Sequence, residues 1–135
     1  MSQVILPLSL VNKILTHAQH SPESEVCGLI GARGEMATTV YPVTNIAAQP
    51  ERLFTMQPEG QVDAMRQMRE RGEELFAIYH SHPHTPAMPS ARDLDEAAYP
   101  QALYLIVSLN TRGVLEMQGF RLHEGEVQRV DLEVA

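Results

Sequence analysis

The segment that most restricts how this chain can fold is Glu74-Leu75-Phe76-Ala77-Ile78-Tyr79-His80-Ser81-His82-Pro83. Its first six residues are mostly apolar and read as a buried strand. Side chains at i and i+2 on a strand share a face, so His80 and His82 are expected to point one way and Ser81 the other. Proline has no N–H to give a ladder, so the strand should stop at Pro83. The stretch to Pro89 is rich in proline, has no apolar period and reads as a loop. Ser90 then reads as a helix N-cap, with Asp93 at the third helical position in the S-x-x-[DE] pattern. Such a loop can fold a helix start back over the end of the strand.

Two imidazoles on one face and a carboxylate can supply three nitrogen and oxygen ligands to one metal ion. Zinc held by three protein ligands keeps a fourth position open for water, the catalytic form of such a site. A closed structural site wants four ligands, usually with several thiolates, and this chain has one cysteine. Taken singly, a His-x-His pair is commonly a surface or core pair, and Ser90 with Asp93 is only a helix start. The convergence of strand end, proline stop, loop and cap is what makes the pattern specific. Upstream, Val26, Cys27, Leu29 and Ile30 suggest a second buried strand. Glu25 sits at its entrance, where a carboxylate can approach a central metal without being sealed in.

A Glu, then His-[Ser/Thr]-His-Pro, six residues, Ser, two residues and Asp resembles the motif of the JAMM (MPN-plus) metallopeptidase family. The chain matches it at Glu25, His80, Ser81, His82, Pro83, Ser90 and Asp93. Glu25-Val26-Cys27-Gly28-Leu29, Pro42-Val43-Thr44-Asn45 and Phe54-Thr55-Met56 resemble the short bacterial members, and the likeness spans roughly residues 8 to 122. The resemblance implies an α/β domain with a mixed, mainly antiparallel, curved sheet flanked by helices, layered as in cytidine deaminases. It implies zinc held by His80, His82 and Asp93, Glu25 as general base and Ser90 as oxyanion donor. It also implies a substrate: the C-terminal tail of a small ubiquitin-like sulfur-carrier protein, or a similar peptide tail. His84 reads as a loop residue beside the motif, and Arg92 and Asp95 as flanking residues without an assigned role.

Composition sets outer limits. The length of 135 residues suits one domain spanning 1–135 with a sizeable core. The N-terminus lacks the pattern of a signal peptide and no run approaches a membrane span, so a cytoplasmic protein is expected. A net charge of −7 disfavours nucleic-acid binding. Arg66, Arg69 and Arg71 read as a solvated helix face. Cys27 lies among apolar neighbours and reads as a small buried hydrophobe. No Cys-x-x-Cys of the deaminase type is present. Two rival functions stay open at this point: a metal-loaded binding module without turnover, and a thiol hydrolase using Cys27. The oligomeric state is not readable.

The remaining elements follow from periodicity. A helix is expected over Leu8 to His20, with Leu10, Val11, Ile14, Leu15 and Ala18 inward and Ser9 as cap. Strands are expected over Glu25 to Ala32 and Met36 to Val43, joined by an Arg33-Gly34-Glu35 turn. A short strand is expected at Leu53 to Met56. A helix over Pro58 to Arg71, with Val62, Met65 and Met68 or Met65 and Arg69 defining its two faces, should end at Gly72. Strands close the chain over Ala102 to Leu109, Val114 to Leu122 and Glu126 to Leu132. His17, His20 and His123 read as surface residues.

Overall fold

The computed structural model describes residues 3–110 and 116–135. The elements run β1 (Gln3–Leu6), α1 (Leu8–Gln19), β2 (Cys27–Arg33), β3 (Met36–Val43), α2 (Pro58–Glu70), β4 (Glu74–His82), α3 (Ala91–Glu96), β5 (Leu103–Ser108), β6 (Glu116–His123) and β7 (Glu126–Val134). The strands form one curled sheet in the order β1-β7-β6-β5-β4-β2-β3. Pairing is parallel for β1 with β7 and for β4 with β5, and antiparallel elsewhere. The mixed, mainly antiparallel sheet is the one the motif implied.

Both faces of the central strands are covered, which is why β5 is apolar without alternation. Leu103, Leu105 and Val107 pack towards α1 with Leu10, Val11, Ile14 and Ala18. Tyr104 and Ile106 pack on the opposite face with Ala64 and Met68 of α2. Each fully buried Leu or Ile contributes about 1.5–3 kcal/mol relative to leaving it in water. β4 obeys the same alternation. Ala77 and Tyr79 face α1, while Ile78 joins the cluster beneath α2. His80 and His82 therefore emerge on the α2 side, at the carboxyl end of the strand. β4 and β5 run parallel, so their connection must cross over. The residues of that crossover, 83 to 102, carry the proline loop and α3.

Several expectations need correction. β1 has no counterpart in the periodicity reading. Leu53 to Met56 forms no strand; it makes one isolated bridge, Met56 with Asn45. The cap of α1 is Pro7, without a side-chain bond, and Ser9 lies inside the helix. Val62 is exposed, and the buried stripe of α2 is Ala64 and Met68. Arg71 is exposed, as expected, but sits one residue past α2 as its C-cap, where it donates to the Tyr41 hydroxyl at 3.1 Å and lies over the Tyr41 ring. His17 is half-buried, with its Nδ1 2.7 Å from the Tyr79 hydroxyl. The Tyr79 ring lies over Gly28, where an added Cβ would collide with the ring. Val114, at the expected start of the sixth strand, falls outside the described residues.

Gly31 sits at a register shift of β2 against β4 and next to one against β3. The irregularity makes room for a buried carboxylate, Glu73, whose Oε1 would lie 2.9 Å from a Cβ on Gly31. Thr39 donates to Glu73 at 2.6 Å, and Thr38 and Tyr41 donate as well. Burial pushes the Glu73 carboxyl up, but the three hydroxyls outweigh it and hold the group below its ordinary value of 4.5. A carboxyl depressed by folding stabilises the fold above its unfolded pKa and loses that contribution as pH falls through the folded value. Glu73→Gln is therefore expected to cost about 1–3 kcal/mol near neutral pH. The gap from the parent should narrow in acid, below the ordinary carboxylate range. Urea denaturation at neutral and acid pH measures it; a gap that stays constant would refute the assignment.

Candidate metal centre

The centre is assembled from three pieces of chain that meet at the end of β4. Strand alternation presents His80 and His82 from one face, both buried. Their Nε2 atoms lie 3.0 Å apart. The loop after Pro83 returns to the strand end through Ala87, which is buried in the α2-side core. It then starts α3 with a full capping box: Ser90 Oγ accepts from the Asp93 N–H at 3.0 Å, and Asp93 Oδ2 accepts from the Ser90 N–H at 2.8 Å. The same Oδ2 lies 3.2 Å from His80 Nε2 and 3.3 Å from His82 Nε2.

These three atoms form a nearly equilateral triangle. Metal–ligand bonds of about 2.0–2.1 Å in a tetrahedral site require ligand–ligand edges of about 3.3 Å. The observed edges match that size. The protonation pattern fits as well. His82 Nδ1 lies 2.8 Å from the Pro86 carbonyl, to which it donates, leaving the Nε2 lone pair turned to the triangle. His80 Nδ1 is buried without a partner among the described residues, and the His80 ring is held instead by stacking on Phe54 at 4.5 Å. Two imidazole nitrogens and one carboxylate oxygen that converge at this spacing suit a divalent cation. Glu25 brings the fourth group: one carboxylate oxygen lies within 4.8 Å of both imidazoles.

Glu25 is at the entrance of the second strand, as expected, although the strand itself starts at Cys27 and not at Glu25. The residue lies just before β2, in a segment fastened from both sides. Ser81, on the reverse face of β4, accepts from the Val26 N–H at 2.9 Å through its hydroxyl and donates its own N–H to the Val26 carbonyl at 3.0 Å. Glu25 N–H donates to Pro50 at 2.7 Å. Asn45 donates to the Glu25 and Leu53 carbonyls and accepts from the Ala47 and Thr55 N–H groups. Asn45, Ser81 and Phe54 are positioning residues to which motif reading attached no role, although all three lay inside the segments that carried the resemblance.

Burial pushes the Glu25 carboxyl up to about 7, with Asp93 adding to the rise and His82 and Arg92 opposing it. Burial opposes ionisation of Asp93 too, but the two imidazoles and the Ser90 N–H hold its carboxyl well below the usual range. Burial also lowers His80, whereas bonding to Asp93 and Pro86 raises His82 against its own burial. A raised and a lowered carboxyl side by side give the site one group able to carry a proton and one held ionised. Cys27 is buried, its thiol donating to Val43 at 3.4 Å, and burial pushes it up to about 12. No thiolate nucleophile is available there near neutral pH. His84 lies outside the triangle, exposed and 3.7 Å from Glu23. Arg92 pairs with Glu96 at 3.2 Å.

A cleft of about 350 Å³ adjoins the centre, lined by Phe54, Met56, Ile78, Tyr99 and Tyr104 among others. Phe54 stacks on His80, and Ile78 precedes it by two residues on the same strand face. No helix among the described residues is long and apolar enough to cross a membrane.

Comparison with known proteins agrees with this geometry. The chain is 32% identical over 117 residues to the desampylase of Haloferax volcanii, covering 82% of this chain and 84% of that protein. It is 29% identical over 133 residues to the CysO-cysteine peptidase of Mycobacterium tuberculosis, covering 97% and 90%. The solution structure of a Desulfitobacterium hafniense protein matches with a TM-score of 0.87 at 32% identity, covering 98% of this chain and 92% of that one. Residues 7–122 match the model described as prokaryotic homologs of the JAB domain, and the chain belongs to that family.

Proposed function

We propose that the chain, a single catalytic domain over 1–135, is a zinc peptidase. It would cut the bond that follows the C-terminal tail of a small ubiquitin-like carrier protein. The observation that carries this reading is the triangle of His80, His82 and Asp93 with the raised Glu25 carboxyl beside it. Support for the substrate comes from the two similar peptidases, named for desampylation and for CysO-cysteine, and from the cleft. A space of that size takes a few residues of extended backbone and excludes a folded domain. Its approach to the centre suits a Gly-Gly type of tail, since glycine brings backbone close without side chains.

His80, His82 and Asp93 would hold the metal, which supplies Lewis acidity and water with a pKa lowered to about 7. Glu25 takes the proton of the attacking water on its carboxylate as the water oxygen bonds to the carbonyl carbon. Ser90 accepts from the Asp93 N–H, so its own hydroxyl hydrogen is free to donate to the oxygen on which negative charge develops; removing one such donor costs about 10²–10³ in rate in other proteases. Glu25 then delivers its proton to the leaving amine as the C–N bond breaks.

Incubation with carrier conjugates ending in Gly-Gly, read by product mass, tests the reading. The expected product is a carrier with an intact glycine terminus. Failure to cut any carrier while zinc is bound would count against the substrate class. Glu25→Gln should lower turnover by about 10²–10⁴ and leave the zinc content unchanged; full activity in that variant would favour a binding module. A chelator should abolish cleavage and added zinc restore it, whereas Cys27→Ser should stay active. The opposite pair of results would point to a thiol hydrolase.

A further inference from the structure

Ser108 is buried at the last position of β5 and belongs to no part of the motif. It is the register partner of His82 in the parallel pair, so the two side chains leave adjacent strands on the same face. Its hydroxyl accepts from the Asn110 N–H at 3.1 Å and donates to the Thr85 carbonyl at 2.8 Å. A carbonyl oxygen can only accept, so the hydroxyl hydrogen is directed at Thr85.

That bond has a consequence at the next residue of the chain. The peptide between Thr85 and Pro86 is planar, so fixing the Thr85 carbonyl fixes the plane. The proline ring locks the next rotation. Only the last torsion of Pro86 remains, and the Met88 N–H holds it by donating to the Pro86 carbonyl at 2.8 Å. The Pro86 carbonyl is thus aimed at His82 Nδ1, the contact that selects the ring's tautomer. The same anchoring sets the direction in which the loop carries Ala87 into the core and, beyond it, Asp93 to the imidazoles.

We infer that Ser108 is a positioning residue for the metal centre: through the Thr85–Pro86 peptide it orients His82 and fixes the loop that delivers Asp93. This rests on the metal reading proposed above. Loss of a partner that orients a ligand typically weakens metal binding by about 10–100-fold, far more than a remote core change does.

The test compares Ser108→Ala, Ser108→Thr and, as a control on the other face of the sheet, Val130→Ala. Zinc affinity is measured by competition with a chromophoric chelator. The His82 Nδ1–H is followed by ¹⁵N NMR of the metal-free proteins, and folding is checked from the amide spectrum. Ser108→Ala should weaken zinc binding by about 10–100-fold and lose the protected Nδ1–H signal. Ser108→Thr, which keeps the hydroxyl, should retain both, and Val130→Ala should retain both despite a lower melting temperature. A folded Ser108→Ala protein with parental zinc affinity and an unchanged Nδ1–H signal would overturn the inference. If the parent itself took up no zinc, the metal reading would fall, and the Nδ1–H signal of the metal-free proteins would still decide the role of Ser108.

Discussion

Everything at the centre depends on how tightly β4 is held at its carboxyl end. The strand has a partner on each side, β2 antiparallel and β5 parallel. Each neighbour delivers one part of the site. Through Val26 and Ser81, β2 brings Glu25 alongside the histidines. Through Ser108, β5 holds the loop that returns with Asp93. Without those two attachments, His80 and His82 would be an ordinary pair of histidines on a strand end. The surrounding core matters because it makes the strand rigid: Ile78 and Ile106 on one face and Tyr79 and Val107 on the other leave no room for it to shift.

The part of the candidate site built from His80, His82, Ser90 and Asp93 was readable from the sequence because its geometry is local, whereas Glu25 is brought in across 55 residues and was marked only by the motif. Period-two alternation places His80 and His82 together, proline stops the strand, and the Ser90–Asp93 cap is a four-residue pattern. None of these depends on distant contacts. The elements that escaped reading are those whose partners are far away. β1 has four residues and pairs with the last strand of the chain, so nothing nearby marks it as structure. His17 finds Tyr79 across 62 residues, and no pattern around His17 reveals that its face of α1 meets a phenol. Leu53 to Met56 has the composition of a strand. Its backbone is committed instead to the Asn45 side chain and to a single bridge. Val62 is at helical spacing from Met65, but it sits two residues before Ala64, on the far side of α2 from the buried Ala64 and Met68, and so faces solvent.

The two carboxylates buried away from ordinary solvent illustrate opposite uses of the same cost. Glu73 is surrounded by hydroxyl donors and is held charged. Glu25 has its backbone N–H and carbonyl both bonded, but among the described residues its carboxyl meets no such donors, and burial pushes it up to about 7. Burial alone would raise both. The difference is the number of protons offered to each carboxylate, and it separates a fixed anion from a group suited to pass a proton on.

One oxygen, Asp93 Oδ2, both closes the capping box of α3 and completes the triangle with the imidazoles. A helix of six residues has almost no stability of its own. Order in that short turn and the gathering of the three donors are therefore two faces of one equilibrium. Glu96, on the last turn of α3, also lines the neighbouring cleft. The wall of the cleft is thereby tied to the state of the triangle, through the same short helix.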